Sequence, residues 1–271
     1  MNDTLTIATW NLNRPAALPN PRTEAQLAQI RAVDADIWVL TETSEHVTLP
    51  GYHSLATPAT ALRRAGERTT MIWSRWPLRE VGVFPKLPER EEPARTWPSF
   101  SVSSRDTSPA ICAIVERPGT PLLVYGTVIT YFGDRGPAGT SPYNQEQYKA
   151  VEAHASDWCR LRKAHRALPF IVAGDFDATC DTRNYPTIAT CDALRQALLH
   201  SKLDCLSAAH WIDHICVSAE HHAHSSVAVH HPKYPSPWAG KVVKLSDHHI
   251  VVAKVTLASS TPDGRQQPIV S

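Results

Sequence analysis

Asp175 and Asp177 stand at alternate positions just after Gly174, where the apolar run Phe170-Ile171-Val172-Ala173 ends. In an extended chain alternate residues point to one side, so both carboxylates share a face. Two carboxylates at the mouth of a buried strand are costly unless a cation or hydrogen-bond donors compensate them. The pair therefore suits metal or water-activating chemistry. Its plain alternative is a turn opened by Asp175 and capped by Asp177. Similar polar ends recur along the chain. Asn11 closes Leu5-Thr6-Ile7-Ala8-Thr9-Trp10, and Glu42 follows Ile37-Trp38-Val39-Leu40-Thr41. Asp213 lies within Trp211–Val217, and Asp247-His248 come just before Ile250–Val255. Any one of these residues is ordinary surface; their recurrence at strand ends argues for a shared site.

The elements that must position them follow from periodicity and turn chemistry. Leu5–Asn11, Ile37–Leu40, Thr70–Ser74, Phe100–Ser103, Ala110–Glu116, Leu122–Thr130, Phe170–Ala173, Trp211–Val217 and Ile250–Val255 read as strands. Pro118-Gly119 joins two of them as a turn, and hairpins in a row predict antiparallel sheet. Thr23–Val33 reads as a helix, with Thr23 and Gln26 as a capping box and Leu27, Ile30 and Val33 as its stripe. A second helix is expected from Ser141-Pro142 to Lys163, with Tyr148, Val151, Ala155, Trp158 and Leu161 facing inward. Thr190–His200 predicts a third. Gly51–Thr60, Gly133–Ser141 and the proline- and charge-rich stretch 84–98 read as loops. So does the segment holding His221, His222, His224, His230 and His231. His-His-x-His can capture zinc or nickel, but a native metal site is not the expectation for this loop.

A chain of 271 residues suits one layered domain with a real core. Lys and Arg total 27 against 26 acidic residues, so net charge does not argue for a nucleic-acid partner, although a local basic patch stays open. The 14 histidines add positive charge as pH falls toward about 6.5. Cys112, Cys159, Cys180, Cys191, Cys205 and Cys216 form no Cys-x-x-Cys pair and no zinc-ribbon spacing. Reduced, mainly structural thiols in a cytoplasmic protein are the expectation. The N-terminal residues lack the pattern of a secretory signal, and no apolar run approaches the ~20 residues of a membrane span.

Taken together, Ala8-Thr9-Trp10-Asn11, Asp36–Glu42, Ser74-Arg75-Trp76-Pro77-Leu78, Gly174-Asp175-Phe176-Asp177, Ile212-Asp213-His214-Ile215 and Ser246-Asp247-His248 form an ordered set. With these motifs the chain resembles the endonuclease/exonuclease/phosphatase superfamily. These are metal-dependent phosphoesterases that include pancreatic-type deoxyribonuclease, apurinic endonucleases, inositol-polyphosphate phosphatases and sphingomyelinases. The resemblance implies an α+β fold, a four-layer α/β/β/α sandwich of two mainly antiparallel sheets flanked by helices. Residues 1–257 would form the single domain and 258–271 a disordered tail. It also implies a site at one edge of the sandwich that uses Mg²⁺ or Mn²⁺. Glu42 would be the main metal ligand, with Asn11 and Asp247 near the ion. His248, polarised by Asp213, would act as general base or donate to a phosphate oxygen. Asp175 would orient or deprotonate the attacking water, without a covalent intermediate.

Two positions depart from the family pattern. Asp177 stands where Asn is usual, and an ionised Asp cannot donate a hydrogen bond to phosphate. Metal or water contact is the role expected for it. Val128 stands where many members carry His, so Thr130 or Tyr131 would have to substitute. Arg75 and Lys244 are further candidates for substrate contact, with Lys241 and Trp238 near Lys244. The expected activity is phosphodiester hydrolysis of DNA or RNA by direct attack of an activated water. The alternatives are hydrolysis of a small or lipid-linked phosphate, and a non-catalytic binding module of the same fold. The oligomeric state is open.

Overall fold

The computed structural model describes residues 3–59, 65–85, 108–136, 140–235 and 242–257. The apolar runs become strands that bury both faces. In β1 (Asp3–Asn11), Leu5 and Ile7 point into one core while Ala8 and Trp10 point into another. In β2 (Ile37–Ser44), Ile37 and Val39 alternate with Trp38 and Leu40 in the same way. Strands covered on both sides read as continuous apolar runs, which is why they stand out in the sequence.

The remaining strands are β3 (His53–Ala56), β4 (Glu67–Ser74), β5 (Leu78–Phe84), β6 (Ala110–Val115), β7 (Leu122–Val128), β8 (Phe170–Asp175), β9 (Leu203–Cys205), β10 (Asp213–Ser218), β11 (Ser225–His230), β12 (Lys233–Pro235), β13 (Val242–Lys244) and β14 (Ile250–Leu257). The helices are α1 (Pro21–Val33), α2 (Gln145–Ala164) and α3 (Ile188–His200). One six-stranded sheet has the order β11-β14-β1-β2-β4-β3, the other β5-β6-β7-β8-β10-β9. Pairing is antiparallel except for β1 with β2 and β7 with β8. The inner faces meet in a core that includes Val39, Ile72, Ile171, Ile215 and Val251. α1 covers the outer face of the first sheet through Leu27 and Ile30. α2 and α3 cover the second through Val151, Trp158 and Leu194. This is the expected four-layer α/β/β/α sandwich.

Several elements differ from the sequence expectation. α1 begins two residues earlier than Thr23: Asn20 caps it by accepting from the amides of Arg22 and Thr23, and Pro21 opens the first turn. α2 begins at Gln145, not at Ser141-Pro142; the Ser141 hydroxyl instead donates to Glu146 Oε1. Tyr148 on α2 is exposed. The stretch read as turns contains β3, and the histidine-rich loop contains β11, whose Val227 and Val229 alternate toward the inter-sheet core. Among groups of three or more metal-competent side chains in the described residues, none includes His221, His230 or His231. The expected strand Phe100–Ser103, Trp238, Lys241 and the tail lie outside the described residues. No helix is long and apolar enough to cross a membrane among the described residues.

Candidate active site

Three neighbouring strands from the middle of each sheet end at one edge of the sandwich: β14, β1 and β2 from one, β7, β8 and β10 from the other. Asn11 closes β1 and Asp175 closes β8, and the Asn11 side-chain amide donates to Asp175 Oδ2 at 2.8 Å. This bond joins the two sheets at the site. Asp175 Oδ1 accepts from the Asp177 amide at 3.0 Å, so both of its oxygens are held. Gly174 makes the approach possible. Its φ is +145°, and a Cβ there would sit 1.9 Å from the Thr127 carbonyl oxygen of the adjacent β7.

Asp213 is the direct cross-strand partner of Asp175. Opposed like charges destabilise a sheet unless something neutralises them. His248 does so. Its Nδ1 lies 2.8 Å from Asp213 Oδ2, and its Nε2 lies 3.8 Å from Asp175 Oδ2. Asp213, Asp175 and His248 thus converge within 4.8 Å. Burial alone would lower the His248 pKa, but attraction to Asp213 and then Asp175, with the Asp213 hydrogen bond, raises it to about 11. The imidazole is therefore protonated at neutral pH. Burial raises the Asp175 carboxyl to about 6, against the opposing pull of His248.

Glu42 sits inside β2 with φ of 40°, a left-handed backbone that a non-glycine residue adopts only at a cost of ~1–3 kcal/mol. Its carbonyl accepts from the Arg14 amide, and its carboxylate pairs with Arg14 Nε at 3.1 Å. Asp247 accepts from the Asn13 side chain at 3.0 Å, and Ser246 Oγ donates to the Asn11 carbonyl at 2.7 Å. The Asp177 carboxyl is raised well above its ordinary value by burial and then by Asp175, with Glu42 and Asp213 adding to the rise. Glu42, Asp175, Asp177 and Asp213 therefore crowd negative charge around one imidazole. An oxygen-rich, over-negative set of this kind fits a hard divalent cation.

The profile of the Endonuclease/Exonuclease/phosphatase family matches residues 8–248. The chain belongs to this family. It is accordingly a hydrolase of phosphoesters, and members of the family are typically metal-dependent. Solved structures share its fold at low identity. An endonuclease/exonuclease/phosphatase family protein from Bacteroides thetaiotaomicron aligns with a TM-score of 0.64 at 18% identity, over 95% of this chain and 99% of that one. The AP endonuclease LMAP from Leishmania major gives 0.64 at 13% identity, over 94% and 89%. The mannosyl-6-phosphatase Bt3783 from Bacteroides thetaiotaomicron gives 0.61 at 17% identity, over 93% and 100%. A search of curated proteins finds no significant match. Nucleases and a phosphatase share the fold, so the family does not by itself fix a substrate.

Of the residues expected at the family site, Asn11, Glu42, Asp175, Asp177, Asp213, Asp247 and His248 all fall at this edge. Val128 is buried directly beside Asp175 in the β7–β8 register, so an aliphatic side chain occupies the position of the usual His. Thr130 is buried two residues further on. The Tyr131 phenol is raised by burial, then Tyr143, then Asp177, which puts it near that carboxylate. Lys244 is exposed at the end of β13. Arg75 is elsewhere. It pairs with Asp34 and Asp36, which precede β2, while Glu42 lies six residues on, about 20 Å along an extended strand. Its guanidinium holds a loop at the opposite end of the sandwich.

Sequence reasoning missed Asn13, Arg14 and Gln147, whose side chain donates to the Asp177 carbonyl at 2.8 Å. It also missed an aromatic wall. Tyr131 and Phe132 lie 4.1 Å apart between ring centres, Phe132 packs on Tyr143 and Tyr185, and Tyr185 lies 4.7 Å from Trp211. Burial, then the charge of Asp177, pushes the Tyr185 phenol up to about 12, so the wall begins beside the site. These residues come from three separate loops. The only available signal is the aromatic density of 131–143 and the pair Tyr185 and Trp211.

Proposed function

We propose that the chain is a divalent-metal-dependent phosphodiesterase acting on nucleic acid, and that Asp213, His248 and Asp175 carry the hydrolysis. The observation behind this reading is the His248 imidazolium, fixed by Asp213 and facing Asp175 across 3.8 Å. That gap is longer than a hydrogen bond and suits an oxygen seated between the two groups. His248 donates its Nε2 proton to a non-bridging phosphoryl oxygen, where charge develops in the transition state. Asp175, with a carboxyl near 6, is matched to accept a proton from water near neutral pH. Asn11 and the Asp177 amide hold both of its oxygens and so fix its direction.

Glu42, Asn11 and Asp247 would hold Mg²⁺ or Mn²⁺. When bound, the ion supplies charge neutralisation at the phosphoryl group and at the leaving oxygen. Asp177 stands in place of the amide that the family pattern carries. The raised carboxyl makes a protonated Asp177 available, and in that form it donates as Asn would.

The aromatic wall supports nucleic acid as the substrate class. Tyr143 and Trp211 are exposed at its rim, and Arg183 lies over the Trp211 ring at 5.7 Å. Flat rings with a guanidinium beside them suit nucleobase stacking along a single strand. A second reading, hydrolysis of a small phosphomonoester, is favoured by Arg14, which can neutralise the extra charge of a terminal phosphate from beside Glu42. The test is hydrolysis of labelled single- and double-stranded DNA and RNA, bis(p-nitrophenyl) phosphate and p-nitrophenyl phosphate. Each is run with Mg²⁺, with Mn²⁺ and with EDTA, for the wild type and Trp211→Ala. Metal-dependent cleavage of nucleic acid, weakened in the variant while the small diester is cleaved normally, supports the proposal. Turnover of the monoester alone contradicts it.

A further inference from the structure

Behind the catalytic edge, on the helix-covered face of the second sheet, three soft ligand atoms converge. Cys180 Sγ, Cys205 Sγ and a ring nitrogen of His214 all lie within 4.8 Å of one another. They come from the loop after β8, the end of β9 and β10, so no short sequence spacing announces them. Cys180 and His214 are buried, and Cys205 is half-buried. Cys205 is the centre of the group: it hydrogen-bonds with the thiols of both Cys180 and Cys216, its cross-strand partner.

A cluster of cysteines in a core has a bland explanation, since a free thiol packs as a small hydrophobe. The orientation of His214 argues for more. Its Nε2 lies 3.0 Å from the Ala178 carbonyl oxygen. A carbonyl can only accept, so Nε2 carries a proton there, and Nδ1 is the ring nitrogen left to face the sulfur. Nδ1 faces Cys205 Sγ at 3.5 Å and the Ser207 hydroxyl at 3.1 Å. A histidine that donates one ring nitrogen to a backbone carbonyl while offering the other is set as metal-ligating histidines are. The spacing agrees. Zinc bonds to sulfur at about 2.3 Å and to nitrogen at about 2.0–2.1 Å, so two such ligands at a tetrahedral angle stand about 3.5 Å apart.

We propose that Cys180 Sγ, Cys205 Sγ and His214 Nδ1 bind one zinc ion as a structural site, separate from the oxygen-rich catalytic edge. Water or the Ser207 hydroxyl completes four-coordination. Ser207 Oγ is held by the Ile215 amide at 2.9 Å and lies 3.9 Å from Cys205 Sγ. Binding turns two thiols into thiolates and releases two protons to solvent, with no change of oxidation state. The ion would brace the loop that follows Asp175. His214 already holds that loop through the Ala178 carbonyl and packs edge-on against Phe176 with ring centres 5.3 Å apart.

The test is titration of the reduced, metal-stripped full chain with Co²⁺, a spectroscopic substitute for zinc. The expected result is one equivalent showing thiolate-to-cobalt charge transfer and the intense visible bands of a tetrahedral site, displaced by Zn²⁺ and untouched by excess Mg²⁺. Cys205→Ser and, independently, Cys180→Ser should lose the charge-transfer band, whereas Cys159→Ser, on α2, should keep it. Far-UV circular dichroism identifies any variant that fails to fold, and a folded member of the pair then decides. Absence of the band in the wild type overturns the proposal, as does its full persistence in a folded Cys205→Ser or Cys180→Ser protein. A Cys180–Cys205 cross-link in non-reducing mass spectra of freshly purified, metal-free protein would also overturn it, assigning the pair to redox chemistry.

Discussion

Asp213 and His214 are neighbours on β10, yet they serve opposite environments. Asp213 points to the sandwich edge, where carboxylates, an amide and an imidazolium gather. His214 points under α2 and α3, where its Nδ1 faces the Cys205 sulfur and the Ser207 hydroxyl. Strand alternation alone separates the two faces. The edge is rich in hard oxygen ligands and charge, and its geometry supports proton transfer. The pocket is soft and closed, and its geometry supports holding the chain in place. Sites with such different jobs can lie one residue apart because a strand isolates its two sides electrostatically and sterically.

The most damaging change should strike what both regions share. Gly174→Ala forces a Cβ into the Thr127 carbonyl, and backbone cannot yield as a side chain can. Loss of folded, soluble protein is expected, read by circular dichroism. Next, Asp213→Asn should leave the melting temperature nearly unchanged while lowering turnover by about 10²–10⁴-fold, because His248 loses the partner that keeps it charged and oriented. His214→Gln should do the reverse, lowering the melting temperature while the activity per folded molecule falls only several-fold. If both variants lost turnover equally at unchanged stability, the separation between the faces would be wrong.

A smaller effect concerns pH. The Asp175 carboxyl is raised from 3.8 to about 6, so the folded protein favours its protonated form. The stability this contributes is present below about pH 3.8 and is lost as pH rises through about 6. His248, raised to about 11, stays charged throughout that interval. Mn²⁺ competes with the proton at the edge, so its stabilisation measured by thermal melts should be larger at about pH 8 than at about pH 5. Equal shifts at both would contradict the assignment of Asp175 to the edge. The smallest effect expected is that of Asp177→Asn, within a few-fold of wild-type turnover, since a neutral amide replaces a carboxyl that burial and Asp175 already drive toward its neutral form. A loss beyond about tenfold, about 1.4 kcal/mol, would mean that the ionised carboxylate has a role of its own.

The edge was largely legible in the sequence because its residues border apolar runs. Asn11 and Asp175 close apolar strands, Asp213 opens one and Glu42 follows the run Ile37–Thr41 within β2, and such boundaries are local. Asn13, Arg14, Gln147 and Tyr185 were not legible. They reach the site from loops and a helix through tertiary packing, which no spacing encodes. Arg75 was not legible as a residue outside the site, because its motif flanks a strand and does not encode which end of the sandwich that flank occupies. The thiol pocket was invisible for the same reason as the loops: three segments supply one ligand each. In the fold, β3, β9 and β11 escaped because short or half-exposed strands lack continuous apolar runs, and β11 was further masked by its histidines. The start of α1 was written in Asn20-Pro21, a stronger signal than the capping pattern at Thr23.

The most direct test is steady-state hydrolysis of bis(p-nitrophenyl) phosphate by His248→Ala beside the wild type, with Mn²⁺ present and folding checked by circular dichroism. The arrangement of Asp213, His248 and Asp175 predicts turnover reduced by about 10²–10⁴-fold in a protein that keeps its fold. Unchanged turnover in a folded His248→Ala protein would contradict it and remove the imidazolium from the chemistry.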